Sequence, residues 1–164
     1  MGEIPNYWKT SLKDVEEAVG RVQKGTVETA GYSAGGRPIY LVRYGEKNAL
    51  KRTANMSCAL GAGAPSCYAD KSAADYRPTI LLVGCIHGGE FEGVAALLNL
   101  LHILEAGEDL AGSSGAALQE LSREATLLIL PCVNPDGRSR IPFDSMVGKS
   151  FEQLRYYNQG TWKD

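Results

Sequence analysis

An unbroken apolar run, Thr79-Ile80-Leu81-Leu82-Val83-Gly84-Cys85-Ile86, constrains this chain more than any other feature. Such a run predicts a central strand covered on both faces. A helix follows from about Phe91. Its apolar stripe is Phe91, Val94, Leu97, Leu98, Leu101 and Leu104, and Gly107 ends it. Residues 116–124 predict a short second helix. Thr126 to Val133 predict another buried strand, ended by Pro131 or by Asn134-Pro135-Asp136-Gly137. A strand–helix–strand order implies nearby parallel strands joined by a right-handed connection. Ligands in such sheets bind at the carboxyl ends of strands. His87 and the Asn134–Gly137 turn both lie at such ends, and so on one rim.

The N-terminal part reads differently. Residues 6–24 predict a helix, with Tyr7, Leu12, Val15, Val19 and Val22 near helical spacing. Thr10 or Ser11 is placed to cap it, Asp14, Glu16 and Glu17 sit early where the helix dipole favours acids, and Gly25 is a stop. Residues 26–45 predict a hairpin turning at Ser33-Ala34-Gly35-Gly36. Residues 46–77 predict a loop, partly mobile and placed to act as a lid. Its stretch Gly61-Ala62-Gly63-Ala64-Pro65-Ser66 lacks the Gly-Lys-Ser/Thr ending of a phosphate cradle.

Composition excludes several functions. With 164 residues the chain suits one domain, and 44% apolar with 22% charged residues is a globular balance. A net charge of −2 gives no basic surplus for nucleic acid or an anionic membrane. The stretch Val94 to Leu104, broken by Asn99 and His102, is too short to span a bilayer. The start Met1-Gly2-Glu3-Ile4-Pro5 lacks the basic opening and apolar run of a signal peptide, so a cytoplasmic location is expected. Cys58, Cys67, Cys85 and Cys132 form no CxxC pair. Cys85 and Cys132 read as buried thiols, whereas Cys58 and Cys67 lie in a loop where an oxidising compartment would let them pair.

His87-Gly88-Gly89-Glu90 is the sharpest chemical signal. The His leaves a buried strand, the Glu opens a helix, and two glycines between them permit a tight turn. The offset lets both side chains reach one ion, and imidazole nitrogen and carboxylate oxygen are ordinary zinc ligands. The plainer reading is a solvated His beside a helix N-terminal Glu. Glu92 is a further carboxylate, better read as neutralising the helix start.

Three segments resemble the zinc metallocarboxypeptidases. Gly31-Tyr32-Ser33-Ala34-Gly35-Gly36-Arg37-Pro38-Ile39 is similar to their hairpin. Ile86-His87-Gly88-Gly89-Glu90-Phe91-Glu92-Gly93 resembles their zinc motif, and Leu130-Pro131-Cys132-Val133-Asn134-Pro135-Asp136-Gly137 their "P-x-x-N-P-D-G" segment. The blocks stand in family order. The resemblance implies an α/β fold with a mixed, mostly parallel central sheet flanked by helices. It implies a zinc hydrolase that cleaves a peptide or amide bond with metal-activated water, with His87 and Glu90 as the first two zinc ligands.

The family's third ligand is a downstream His. The only other histidine here, His102, lies about 18 Å along the predicted helix from Glu90 and cannot share the ion. The third zinc ligand, the general base and the specificity pocket are therefore expected beyond Asp164, and residues 1–164 read as the N-terminal part of a single catalytic domain. For the oxyanion-stabilising role the resemblance implies, Arg138, Arg140, Arg155 and Lys163, beside Trp162, are available. Each also reads as a surface charge. On its own the chain is expected to be inactive and, with an open strand edge at 126–133, to self-associate. A non-catalytic binding module on the same fold, or a zinc deacylase for small acylated amino acids, remains open.

Overall fold

The computed structural model describes residues 4–46, 54–69, 72 and 76–157. The first helix, α1, spans Leu12–Gly20 and is shorter than the periodicity suggests. Its start is set by a capping box: the Ser11 hydroxyl accepts from Asp14 N at 3.1 Å, and the Asp14 carboxylate accepts from Ser11 N at 2.9 Å. Strands β1 (Thr26–Tyr32) and β2 (Pro38–Tyr44) form the expected antiparallel hairpin, with a register shift between Thr29 and Gly31. The loop segment is less irregular than its composition implies. It contains a short helix, α2 (Met56–Gly61), capped by Asn55, and a 3-10 turn at Pro65–Cys67. Residues 47–53, 70, 71 and 73–75 of the expected lid lie outside the described residues.

Strand β3 (Thr79–Val83) leads into the HxxE turn, then α3 (Phe91–Ala106). Gly107 closes α3 at φ +80°, a left-handed backbone that glycine adopts without a Cβ penalty. Helix α4 (Ala116–Leu121), a 3-10 turn and strand β4 (Thr126–Leu130) complete the crossover. The Asn134–Gly137 segment is not a simple turn; it opens a short helix, α5 (Pro135–Ser139), and α6 (Phe151–Tyr157) follows.

The four strands among the described residues form one mixed sheet in the order β1-β2-β4-β3. β3 and β4 run parallel, Thr79 opposite Thr126 through Val83 opposite Leu130. The other two pairings, β1 with β2 and β2 with β4, are antiparallel because the hairpin returns on itself. The architecture is thus a mixed α/β sheet flanked by helices, with the parallel part confined here to β3–β4.

Two expectations change. Of the two parallel strands β4, not β3, is inner: it pairs with β2 on one side and β3 on the other. β3 is an edge among the described residues, and Leu81 is 59% exposed. The open edge predicted at 126–133 is therefore at Thr79–Val83. The second correction concerns the faces. Val15, Val19, Val94, Leu98, Leu101 and Leu104 from α1 and α3 pack with Val42, Leu127 and Ile129 in one core. Leu128 and Leu130, pointing the other way, are only half-buried. An all-aliphatic strand carries no alternation by which sequence could separate a covered face from a half-open one.

Polar ties fasten this core at its ends. The Tyr44 hydroxyl donates to Glu105 Oε1 at 2.7 Å, and the same carboxylate accepts from Gln23 N and Lys24 N, joining β2, the α1–β1 connection and the end of α3. All four cysteines are free in this structure, and Cys85 and Cys132 are buried as predicted. Among the described residues no helix is long and apolar enough to cross a membrane.

Candidate metal centre

Past Val83 the backbone of β3 stays tied to β4. Gly84 N donates to Leu130 O at 2.9 Å, Val133 N to Gly84 O at 3.1 Å, and Asn134 N to Cys85 O at 3.1 Å. The chain then turns sharply. Cys85 has φ +55°, the one positive φ outside glycine among the described residues, a conformation that costs on the order of 1–3 kcal/mol. Its thiol donates to His87 O at 3.4 Å. Its interaction with the Cys132 thiol, together with burial, pushes the Cys85 pKa well above the ordinary thiol range, so the thiol keeps its proton.

The HxxE turn closes on itself. Glu90 N donates to His87 O at 3.1 Å, His87 N donates to Glu90 Oε2 at 2.9 Å, and His87 Nδ1 stands 2.7 Å from Glu90 Oε1. The two side chains converge at the carboxyl end of β3, as the spacing predicts. Their separation is shorter than the roughly 3–4.5 Å that two ligands at zinc bond lengths require, because ring and carboxylate here hydrogen-bond directly. Burial opposes ionisation of Glu90, but the bonds from the His87 backbone and ring outweigh it and hold the carboxyl below the ordinary glutamate range. Glu90 is therefore an anion at neutral pH, and both side chains remain partly exposed.

The three sequence blocks meet around this turn. A Cβ on Gly88 would stand 2.3 Å from both the carbonyl carbon and oxygen of Gly137, so the second and third blocks touch backbone to backbone. Asn134 caps α5 by accepting from Gly137 N at 2.8 Å, and its Nδ2 donates to Ile86 O at 3.1 Å. Asp136 reaches the hairpin: it accepts from Ser33 Oγ at 2.9 Å, Gly35 N at 2.8 Å and Arg37 Nη1 at 2.7 Å. These bonds outweigh desolvation and lower its pKa, the Gly35 amide contributing most.

Other nominated residues fall elsewhere. Arg138 is neither a surface charge nor free to meet an oxyanion. It is 4% exposed, donates from Nε to Thr10 O at 2.8 Å and from Nη1 to Ile141 O at 3.1 Å, pairs with Asp144, and lies 4.6 Å over the Phe91 ring. Nothing in its position just after Gly137 marks it as buried. Arg140 and Arg155 are exposed, the latter on α6, while Trp162 and Lys163 lie outside the described residues. His102 lines a cavity between α1 and α3 with Lys9, Asp14, Arg21 and Glu105, away from the turn. Glu92 lines another with Tyr7, Trp8 and Asn99. The clamp made by Asn134 escaped the sequence reading, although Asn followed directly by Pro is a helix N-cap signature.

The donor chemistry fits a zinc ion in part. One imidazole nitrogen and one ionised carboxylate meet at a strand end, donor types that zinc accepts, but a catalytic zinc keeps three protein ligands. Among the described residues no group of three or more His, Cys, Asp or Glu gathers to hold a metal.

No curated protein matches the chain. Among solved structures it is similar to a protein from Burkholderia mallei assigned as a carboxypeptidase, with 21% identity and TM-score 0.49 over 77% of this chain and 25% of that one. It is also similar to a metallo-carboxypeptidase from Burkholderia cenocepacia (20%, TM-score 0.46, 75% of this chain and 25% of that one). A third is the carboxypeptidase A from Helicoverpa armigera (20%, TM-score 0.47, 82% and 27%). The chain thus spans about a quarter of the length of these structures. The family model described as zinc carboxypeptidase matches residues 15–152, most of the chain and all three motif blocks, and the chain belongs to the zinc carboxypeptidase family.

Proposed function

We propose that residues 1–164 form the N-terminal part of a metallocarboxypeptidase catalytic domain, in which His87 and Glu90 are two of the zinc ligands and the substrate is a peptide or amide. The observation that carries this is the closed turn at the end of β3, where the His87 ring and the Glu90 carboxylate converge 2.7 Å apart. Zinc in such a site supplies Lewis-acid polarisation of the scissile carbonyl and makes water acidic enough to attack at neutral pH. His87 would provide a ring-nitrogen donor, and Glu90, held ionised by its hydrogen bonds, an anionic oxygen. The Asn134–Gly137 loop holds the turn from behind, and Asp136 ties that loop to the hairpin. The third ligand, the general base and the oxyanion donor are sought beyond Asp164. Arg155 and Lys163 are weaker candidates for the last role, and the buried Arg138 is withdrawn from it.

The test is hydrolysis by the full-length protein. Release of a C-terminal residue from N-blocked dipeptides, abolished by a chelator and restored by zinc, is the expected outcome. Turnover confined to N-acyl amino acids would favour a deacylase. Zinc-independent turnover, or zinc binding without turnover of either substrate class, would contradict the proposal.

A further inference from the structure

We propose that Asn134 is a positioning residue for the His87–Glu90 pair; this rests on the reading that the pair holds the metal. Four hydrogen bonds radiate from this one residue. Its backbone N donates to Cys85 O at 3.1 Å and its backbone O accepts from Arg138 N at 3.0 Å. Its side-chain Oδ1 accepts from Gly137 N at 2.8 Å, while Nδ2 donates to Ile86 O at 3.1 Å. The orientation of the amide is forced, because one end faces an N–H and the other a carbonyl.

The consequence lies in which carbonyls are held. Cys85 O and Ile86 O belong to the two residues immediately before His87, where the backbone passes through the φ +55° kink at Cys85. Two adjacent peptide groups of a strained corner are thus pinned by one side chain and its own backbone. Beyond the corner, Gly88 is pressed against Gly137, the residue Asn134 caps. The HxxE turn is gripped before and after His87 by a single loop whose geometry depends on Asn134. Its Nδ2–Ile86 bond is the one side-chain contact in this set that does nothing for α5, since the cap uses Oδ1 alone. A residue that only stabilised the loop would not need it.

This separation makes the test selective. Asn134→Asp keeps an oxygen for Gly137 N but presents a second oxygen to Ile86 O, where donation becomes repulsion. Asn134→Ser keeps a short cap oxygen that cannot reach Ile86. Asp and Ser are both good N-caps, so α5 is retained. The full-length protein is labelled with 15N-histidine, and His87 is assigned by difference from His87→Ala. In the metal-free parent, the imidazole shifts should report a single Nδ1-protonated tautomer bonded to Glu90. In both variants they should report a tautomer mixture at nearly unchanged Tm. Direct titration should give zinc binding weakened by about 10–100-fold, the usual effect of losing a partner that orients a ligand. Parent-like tautomer shifts and parent-like zinc affinity in both variants would overturn the proposal. If parent and His87→Ala bind zinc alike, the metal reading fails instead. Asn134 is then judged on the tautomer alone, unchanged shifts overturning its role and mixed shifts upholding it.

Discussion

Gly88 lies against the backbone of Gly137 so closely that a β-carbon on it would stand 2.3 Å from that residue's carbonyl carbon and oxygen. Only a hydrogen in place of Cβ allows the HxxE turn and the NPDG loop to touch, and the obstacle is backbone, which no rotamer change relieves. Gly88→Ala is expected to destabilise the protein by at least about 1–3 kcal/mol, the range for overpacking. Denaturant midpoints of parent and variant measure this, and equal midpoints would show that the contact is looser than described.

Arg138 should behave as a buried clasp. Arg138→Ala leaves Thr10 O and Ile141 O without their donor, unpairs Asp144 and uncovers the Phe91 ring. A loss on the order of 3 kcal/mol is expected, set by unsatisfied groups rather than by the half-exposed ion pair. Arg138→Lys should not recover it, because a single ammonium cannot donate in the fork directions used here. Recovery by Lys in thermal unfolding would refute the clasp.

The start of α1 should be acid-labile. Burial raises the Asp14 pKa, but bonds from the Ser11 side chain, Ser11 N and Thr10 N, with Lys9 nearby, outweigh it and hold the pKa below the ordinary value. The folded pKa is depressed, so the stabilisation is present above the unfolded aspartate value of about 3.9 and is lost as pH falls through the lower folded value. Asp14→Asn should cost about 1 kcal/mol at neutral pH and flatten the acid limb of the stability curve. An acid limb identical in both proteins would contradict this.

The Asp136 latch follows the same sign. Its pKa is lowered by the Gly35 amide, Ser33 and Arg37, so the tie between hairpin and NPDG loop persists above the ordinary aspartate range and opens as pH drops below it. Asp136→Asn should speed amide exchange at Gly35 while leaving the strand amides of β4 unchanged. Gly35 exchange as slow in the variant as in the parent would refute the latch.

Much of this was legible in the sequence because it follows local rules. The cap at Thr10 or Ser11, the Gly107 stop, the hairpin and the strand-end placement of His87 and Asn134 each depend on a few neighbouring residues. The rest depends on tertiary context. The all-aliphatic β3 reads as central, yet edge or centre is decided by which strands pair with it, and the hairpin inserts β4 between β2 and β3. A charged residue reads as surface, yet Arg138 is buried because the remote Thr10 carbonyl, the Ile141 carbonyl three residues on and an aromatic face complete its bonding. The turn geometry of HxxE was visible, but the fastening of Cys85, Ile86 and Gly88 onto the NPDG loop required the structure.

The central claim is that His87 and Glu90 are metal ligands, and zinc content tests it most directly. Full-length protein, stripped, reloaded and dialysed, should carry about one zinc per chain, as a three-ligand site would hold. His87→Ala and Glu90→Ala should each lose most of it while staying folded, and His102→Ala, on the far part of α3, should retain it. Full zinc occupancy in either His87→Ala or Glu90→Ala would contradict the account.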